Sequence, residues 1–191
     1  METKAQLRKR MKAIRDGISP ELRKSKNEQI VNALLRENWY ADAKIICVYA
    51  AIASEVDLRD FCQRAWKDGK KLYFPKVFGE EMEFYEVDDF ICLKEGCFHV
   101  MEPDLENYDL KKYEDQPEPV HILVPGVAFS ATSYRLGYGK GYYDKYLSCH
   151  LAIDTIGVCY DFQLTNEKIN DKHDVRLGGI ITEKREVFGN D

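Results

Sequence analysis

Between residues 44 and 74 an apolar run, a helical pattern and a second apolar run follow one another, and this succession limits the possible folds more than any other feature of the chain. Asp57 opens the helical pattern, Leu58, Phe61, Cys62 and Ala65 share one of its faces, and Gly69 closes it. A crossover of that length sets residues 44–49 and 71–74 side by side as parallel strands, and such crossovers are right-handed almost without exception. The alternation continues downstream: residues 82–87, 120–124, 155–159 and 179–182 read as strands, and residues 142–149 as a helix. An α/β fold with a mostly parallel sheet is expected.

Two helices precede the first strand. Leu7, Met11 and Ile14 predict an apolar stripe on a helix over residues 4–15, with Lys4 and Arg8, four apart, on another face. Ser19 and Pro20 suit the N-cap and first turn of a second helix reaching about residue 37, burying Leu22, Ile30, Ala33 and Leu34. This pair, within residues 1–37, is expected to pack on the sheet. Residues 88–119 form an irregular acidic excursion with Pro103, Pro117 and Pro119. With 191 residues and 45% hydrophobic content, the chain suits one domain, residues 1–191.

The net charge of −5 is uneven: residues 1–26 carry nine Lys/Arg against three Asp/Glu, or +6, leaving −11 for the rest. Glu2 and Asp16 argue against a transit peptide, and the periodicity favours a packed helix over a nucleic-acid tail. No secretory leader is read, and the six cysteines, Cys47, Cys62, Cys92, Cys97, Cys149 and Cys159, show no C-x-x-C or Cys/His cluster, so reduced cytoplasmic thiols are expected. The longest apolar run, residues 45–53, is too short to cross a bilayer. The expectation is a cytoplasmic monomer with a small-molecule substrate and neither nucleic-acid nor membrane partners.

Residues 124–144, VPGVAFSATSYRLGYGKGYYD, place Gly137, Gly139 and Gly141 behind a strand and before a helix, beside the cations Arg135 and Lys140. Such glycines let consecutive N–H groups point at phosphate oxygens, and the helix start adds positive potential, with Asp144 in its first turn. The spacing is neither G-x-G-x-x-G nor a P-loop, since Gly141 follows Lys140. In open parallel sheets ligands bind beyond the carboxyl ends of the strands. Glu55, Pro75-Lys76, residues 135–143 and Tyr160-Asp161 all follow strands and are expected to converge there.

The string Arg135-Leu136-Gly137-Tyr138-Gly139-Lys140-Gly141-Tyr142-Tyr143-Asp144 resembles the signature of the 5-formyltetrahydrofolate cyclo-ligases, also called methenyltetrahydrofolate synthetases. Lys4-Ala5-Gln6-Leu7-Arg8 is similar to that family's opening K-x-x-L-R, Glu55-Val56-Asp57 to its segment after the first strand, residues 72–77 to its next strand, and His173-Asp174 with Thr182-Glu183 to its close. Ser130 stands where Asp is usual, Ser133 where Gly is usual, and Tyr138 where a basic residue is frequent.

The resemblance implies a three-layer α/β/α fold like that of sugar-phosphate isomerases and CoA transferases, and a reaction that consumes ATP with Mg²⁺ to close 5-formyltetrahydrofolate to 5,10-methenyltetrahydrofolate. It implies Arg135 and Lys140 as catalytic cations at the phosphoryl group. Lys4, Ala5, Gln6, Leu7, Arg8 and residues Arg135 to Tyr143 would bind the nucleotide. Ala50, Glu55, Tyr138, Gly139, Lys140, Gly141 and Tyr142 would bind the folate, and Asp144 and Asp174 would hold Mg²⁺. Without the resemblance, Lys4 and Arg8 read as a solvated face, Asp144 as a helix-start carboxylate and Asp174 as a surface residue. Phe84 and Tyr85 read as core or as a flat wall for the pterin, and His99, His121 and His150 as structural. A non-catalytic folate- or nucleotide-binding protein and a sugar-phosphate isomerase are the other readings.

Overall fold

The structure is a computed structural model that describes residues 2–96, 99–115, 119–150 and 152–188. Its frame is a seven-stranded sheet of order β12-β11-β9-β6-β1-β2-β3. These are β1 (Ile45–Cys47), β2 (Lys71–Phe78), β3 (Glu81–Val87), β6 (Val120–Val124), β9 (Asp154–Val158), β11 (Gly179–Ile181) and β12 (Glu186–Phe188). The five central strands pair in parallel, while β3 and β12 add antiparallel edges. Leaving β1, the chain first builds β2 and β3 on one side, then returns to build β6, β9 and β11 on the other. The strand order therefore reverses between β1 and β6, which opens a crevice at their carboxyl ends.

Helices cover both faces. On one, α2 (Pro20–Arg36), α3 (Asn38–Asp42) and α4 (Arg59–Lys67) bury Ile30, Leu34, Tyr40, Phe61 and Ala65 against Ile46, Val48, Leu72 and Ile156. On the other, α5 (Tyr142–Cys149) packs Tyr146 and Leu147 against Cys47, Phe84, Ile122 and Val124. A small sheet of β7 (Ala128–Ser130), β8 (Arg135–Leu136) and β10 (Leu164–Thr165) carries the approach to the glycine loop. The first helix, α1 (Lys4–Asp16), lays Leu7 and Met11 on Val127, Ala128 and Leu136. The expected helical pair is thus divided: α2 packs on the main sheet, and α1 packs on the small sheet beside the loop.

Several expectations need correction. Along α1 the buried spacing is Leu7, Met11, Arg15, and Ile14 is 44% exposed. Leu22 is also exposed and Ala33 only partly buried, whereas Val31 joins Ile30 and Leu34 in the core. Asp57 does not cap α4 as N-cap. The carboxylate accepts from Arg59 N at 2.9 Å, and Leu58 precedes the helix. The excursion over residues 88–119 contains a 3-10 turn at Phe90–Cys92 and a hairpin of β4 (Leu93–Glu95) and β5 (Met101–Pro103); Pro117 lies outside the described residues. Cys47, Cys62, Cys92, Cys149 and Cys159 are free, and Cys97 lies outside the described residues. No helix among the described residues is long and apolar enough to cross a membrane.

Candidate active site

A cavity of about 610 Å³ opens at the carboxyl ends of β1 and β6. One end is formed by the glycine loop. Gly139 (φ 103°) and Gly141 (φ 72°) occupy the left-handed region, where a side chain is strained, and Gly141 leads directly into α5. At Gly137 a Cβ would sit 2.6 Å from Arg135 Nη1 and would push the guanidinium aside. The loop is clamped from α1, where Arg8 Nε donates to Gly137 O at 2.8 Å.

Arg135 is buried at the root of this loop. Its Nη2 donates to Asp144 Oδ2 at 2.9 Å and its guanidinium lies 5.1 Å from the Tyr143 ring centroid, yet Nε is buried without a partner. Burial presses its pKa downward, and the carboxylates of Asp144 and Asp174 oppose that. An unmatched buried donor on a cation is costly, so its retention in a cavity wall fits an anionic ligand.

Lys4 closes the same end from the start of α1. Its Nζ donates to Asp171 Oδ2 at 2.6 Å and to Asp174 Oδ2 at 3.2 Å, and the Asp171 N–H bonds Asp174 Oδ2 at 2.7 Å. Asp144 Oδ1 accepts from Val175 N at 3.2 Å. Asp144, Asp171 and Asp174 all line the cavity.

At the opposite end stands Glu55, 4% exposed, in the turn after β1. Oε2 accepts from Ile52 N at 2.9 Å and Oε1 from the Tyr138 hydroxyl at 2.9 Å. Burial raises its pKa, against the pull of Ile52 N–H, Arg15 and Tyr138. Tyr49, Ala50, Pro75, Val77 and Met82 complete an apolar wall.

The cavity therefore gathers Lys4, Arg8, Ala50, Glu55, residues 135–143, Asp144 and Asp174. Ala5, Gln6 and Leu7 do not line it: Ala5 is exposed, Gln6 closes a capping box with Thr3, and Leu7 is core. Phe84 packs on Tyr146 and Tyr85 on Phe78, so neither forms the wall. Lys76 turns to Glu102 at 3.7 Å, and Asp161 to Arg185 at 2.6 Å. Asp171, Glu102 and Lys12 line the cavity without having been foreseen. Of the three, only Lys12, four residues beyond Arg8, carried a signal in its spacing.

Residues 1–183 match the model of the 5-formyltetrahydrofolate cyclo-ligase family. The chain belongs to that family. It is 29% identical over 154 residues to a probable 5-formyltetrahydrofolate cyclo-ligase of Caenorhabditis elegans, covering 78% of this chain and 74% of the relative. It is 32% identical over 159 residues to one of Schizosaccharomyces pombe, covering 75% and 77%. The solved 5,10-methenyltetrahydrofolate synthetase of Aquifex aeolicus superposes with a TM-score of 0.84 at 33% identity, over 98% of this chain and 93% of that one.

The three departures from the cyclo-ligase pattern have visible consequences. Ser130 Oγ accepts from Tyr134 N at 3.1 Å, holding the turn as a short carboxylate would. Ser133 sits at φ 64° with Oγ buried and unpartnered, which explains why Gly suits this place. Tyr138 donates its hydroxyl to Glu55 Oε1 from the loop.

Proposed function

We propose that this cyclo-ligase family member closes 5-formyltetrahydrofolate to 5,10-methenyltetrahydrofolate, consuming ATP and releasing ADP and phosphate, with residues 1–191 acting as one domain. Family membership supports the reaction. The observation that carries it into this cavity is the buried Arg135, whose Nε lacks a partner beside a loop that Gly137 keeps open.

The chemical difficulty is the formyl oxygen, a poor leaving group. In the proposed sequence it takes the γ-phosphoryl group and releases ADP; N10 then adds to the activated carbon, loses its proton, and the C–O bond breaks to release phosphate. Alignment and charge neutralisation are what the protein must supply. Arg135 and Lys140 neutralise the transferring group, the glycine loop presents N–H groups to it, and Lys4 and Arg8 hold the nucleotide from α1. Glu55 accepts hydrogen bonds from the amino-pyrimidine edge of the pterin, while Ala50 leaves room for the ring.

The carboxylates fit Mg²⁺ in a particular way. Among the described residues no group of three or more His, Cys, Asp or Glu forms a protein cage. Asp144 and Asp174 suit a hard cation completed by phosphate oxygens and waters. When bound, that ion would offset charge on the phosphates.

Helices on both faces of the sheet support the finer fold reading, a three-layer α/β/α arrangement of the sugar-phosphate isomerase and CoA-transferase type. The free cysteines favour a reducing compartment, and the cytoplasm is the proposed location of a monomer. The decisive assay adds ATP, Mg²⁺ and 5-formyltetrahydrofolate to the protein. Methenyl absorption and phosphate should appear in equal amounts; no absorption band would overturn the proposal, and full activity in excess chelator would remove Mg²⁺ from it.

A further inference from the structure

Arg15 closes the buried face of α1 at 2% exposure, and none of the steps above uses it. Each arm of its guanidinium has a neutral partner: Nε donates to Ser54 Oγ at 3.0 Å, Nη1 to Gly126 O at 3.3 Å and Nη2 to Tyr138 Oη at 2.6 Å. Ser54 in turn donates to Asp16, and Tyr138 Oη to Glu55 Oε1 at 2.9 Å. Arginine has no acceptor, so the phenol must accept from it, and its single proton is left for Glu55. A phenol between a cation and a carboxylate is polarised in one direction.

We propose that Arg15 is a positioning residue for Glu55, acting through Tyr138 to fix the hydroxyl as a donor and keep the carboxylate ionised toward the folate pocket. This deepens the reading of Glu55 as the pterin acceptor and rests on it. Tyr138 lies between Gly137 and Gly139, so the same side chain that orients Glu55 belongs to the loop proposed to carry the phosphates.

The surrounding charges agree. Around Glu55 stand Arg15 from α1, Tyr138 from the loop, Tyr49 after β1, Tyr143 from α5, and Tyr160 after β9, whose hydroxyl is 3.5 Å from Glu55 O; Lys12 from α1 lies 5.6 Å from the Tyr138 ring centroid. Burial drives Glu55 toward protonation, and Ile52 N–H, Arg15 and Tyr138 oppose it. Burial and then Glu55 push the Tyr138 phenol up to about 12, so it remains a neutral donor at working pH. A protonated Glu55 would set an O–H against the donors of the pterin and lose the match.

The test uses the full chain, comparing the parent with Tyr138→Phe, which removes only the hydroxyl, and with Arg15→Lys, which keeps the charge but not the fork. The Glu55 carboxyl is followed by ¹³C NMR over pH, assigned with Glu55→Gln, without any ligand. Its titration midpoint should rise by about one pH unit in Tyr138→Phe, the scale of one lost hydrogen bond to a charged acceptor. Folate KM should rise by up to about tenfold below the parental midpoint, more than kcat falls, and the gap should close as pH passes above both midpoints; general structural damage would widen KM at every pH. An unchanged midpoint in Tyr138→Phe overturns the proposal, even if Arg15→Lys fails to fold. A raised midpoint with parental folate KM would sustain the relay and overturn the assignment of Glu55 to the pterin.

Discussion

The two ends of the cavity are built in opposite ways. At the loop end Gly139 and Lys140 are exposed, two glycines hold left-handed backbone, and cations reach in from α1 and from β8. At the Glu55 end the carboxylate is buried and both its oxygens are tied to protein donors before any ligand arrives. A phosphoryl group brings charge that moves during reaction, and fixed cations beside an exposed glycine loop suit it. A pterin is rigid and presents fixed donors, for which a preset acceptor is better. Changes at the exposed rim of the open end should therefore alter turnover with little effect on folding, whereas changes at the closed end, or at the buried Arg135–Asp144 pair, should also alter stability.

The largest expected effect tests the open end. Lys140→Ala should lower turnover on the order of 10²-fold or more, about 3 kcal/mol at a developing phosphoryl charge, with thermal unfolding within about 0.5 kcal/mol of the parent. Equal turnover in variant and parent would reduce Lys140 to a solvated loop charge.

Next in size, Glu55→Gln should weaken folate binding by about 2 kcal/mol and leave ATP binding nearly unchanged, as calorimetry would read. Its pH dependence has a definite sign. The folded pKa of Glu55 is raised by burial, so its contribution to stability is fully present below the unfolded pKa and is lost as pH rises through the folded one. The Gln variant should thus gain stability over the parent as pH rises through that window, in thermal melts at a series of pH values. The same variant should lose the pH dependence of folate affinity. A parent whose stability rises through this window would break the comparison between the two ends.

Legibility in the sequence followed the same division. The parallel strands, α5 and the glycine loop were readable because apolar runs and glycines carry local signals, and 142–149 was placed at its observed bounds. The network behind Glu55 was not. Arg15 falls at the four-residue spacing of Leu7 and Met11, but a cation in an apolar stripe reads as polar until its partners Ser54, Gly126 and Tyr138 are brought from distant segments. Ile14 sits at helical spacing from Leu7 and Met11, yet the position facing inward is that of Arg15 and Ile14 is exposed. Asp171 likewise gains its meaning only from Lys4, 167 positions earlier. Short strands such as β8 and β10 have too few residues to show a period.

The carboxylates of the open end give a smaller effect. Asp144→Asn and Asp174→Asn should each raise the Mg²⁺ needed for half-maximal activity about fivefold, roughly 1 kcal/mol per lost anionic ligand. Asp144→Asn should in addition lower stability, since it weakens the partner of buried Arg135 at 2.9 Å. Parental Mg²⁺ dependence in both variants would return Asp144 to the helix dipole and Asp174 to its ion pair with Lys4.

The smallest prediction concerns the scaffold under the open end. Ser133 is fully buried with φ 64° between β7 and β8, its Oγ has no partner, and its carbonyl accepts from Leu177 N at 2.8 Å, which fixes the backbone in that conformation. A Cβ in the left-handed region costs roughly 1 kcal/mol, and a buried unpaired hydroxyl adds a similar penalty, while glycine returns part of this gain to the unfolded chain as entropy. Ser133→Gly should therefore stabilise the protein by about 1 kcal/mol in denaturant unfolding, and turnover should match the parent because Ser133 does not line the cavity. Strain relieved without a change in rate would mean that the open end owes its activity to the cations and N–H groups at its rim. A fall in turnover would show instead that the strained turn helps to aim Arg135, two residues further along.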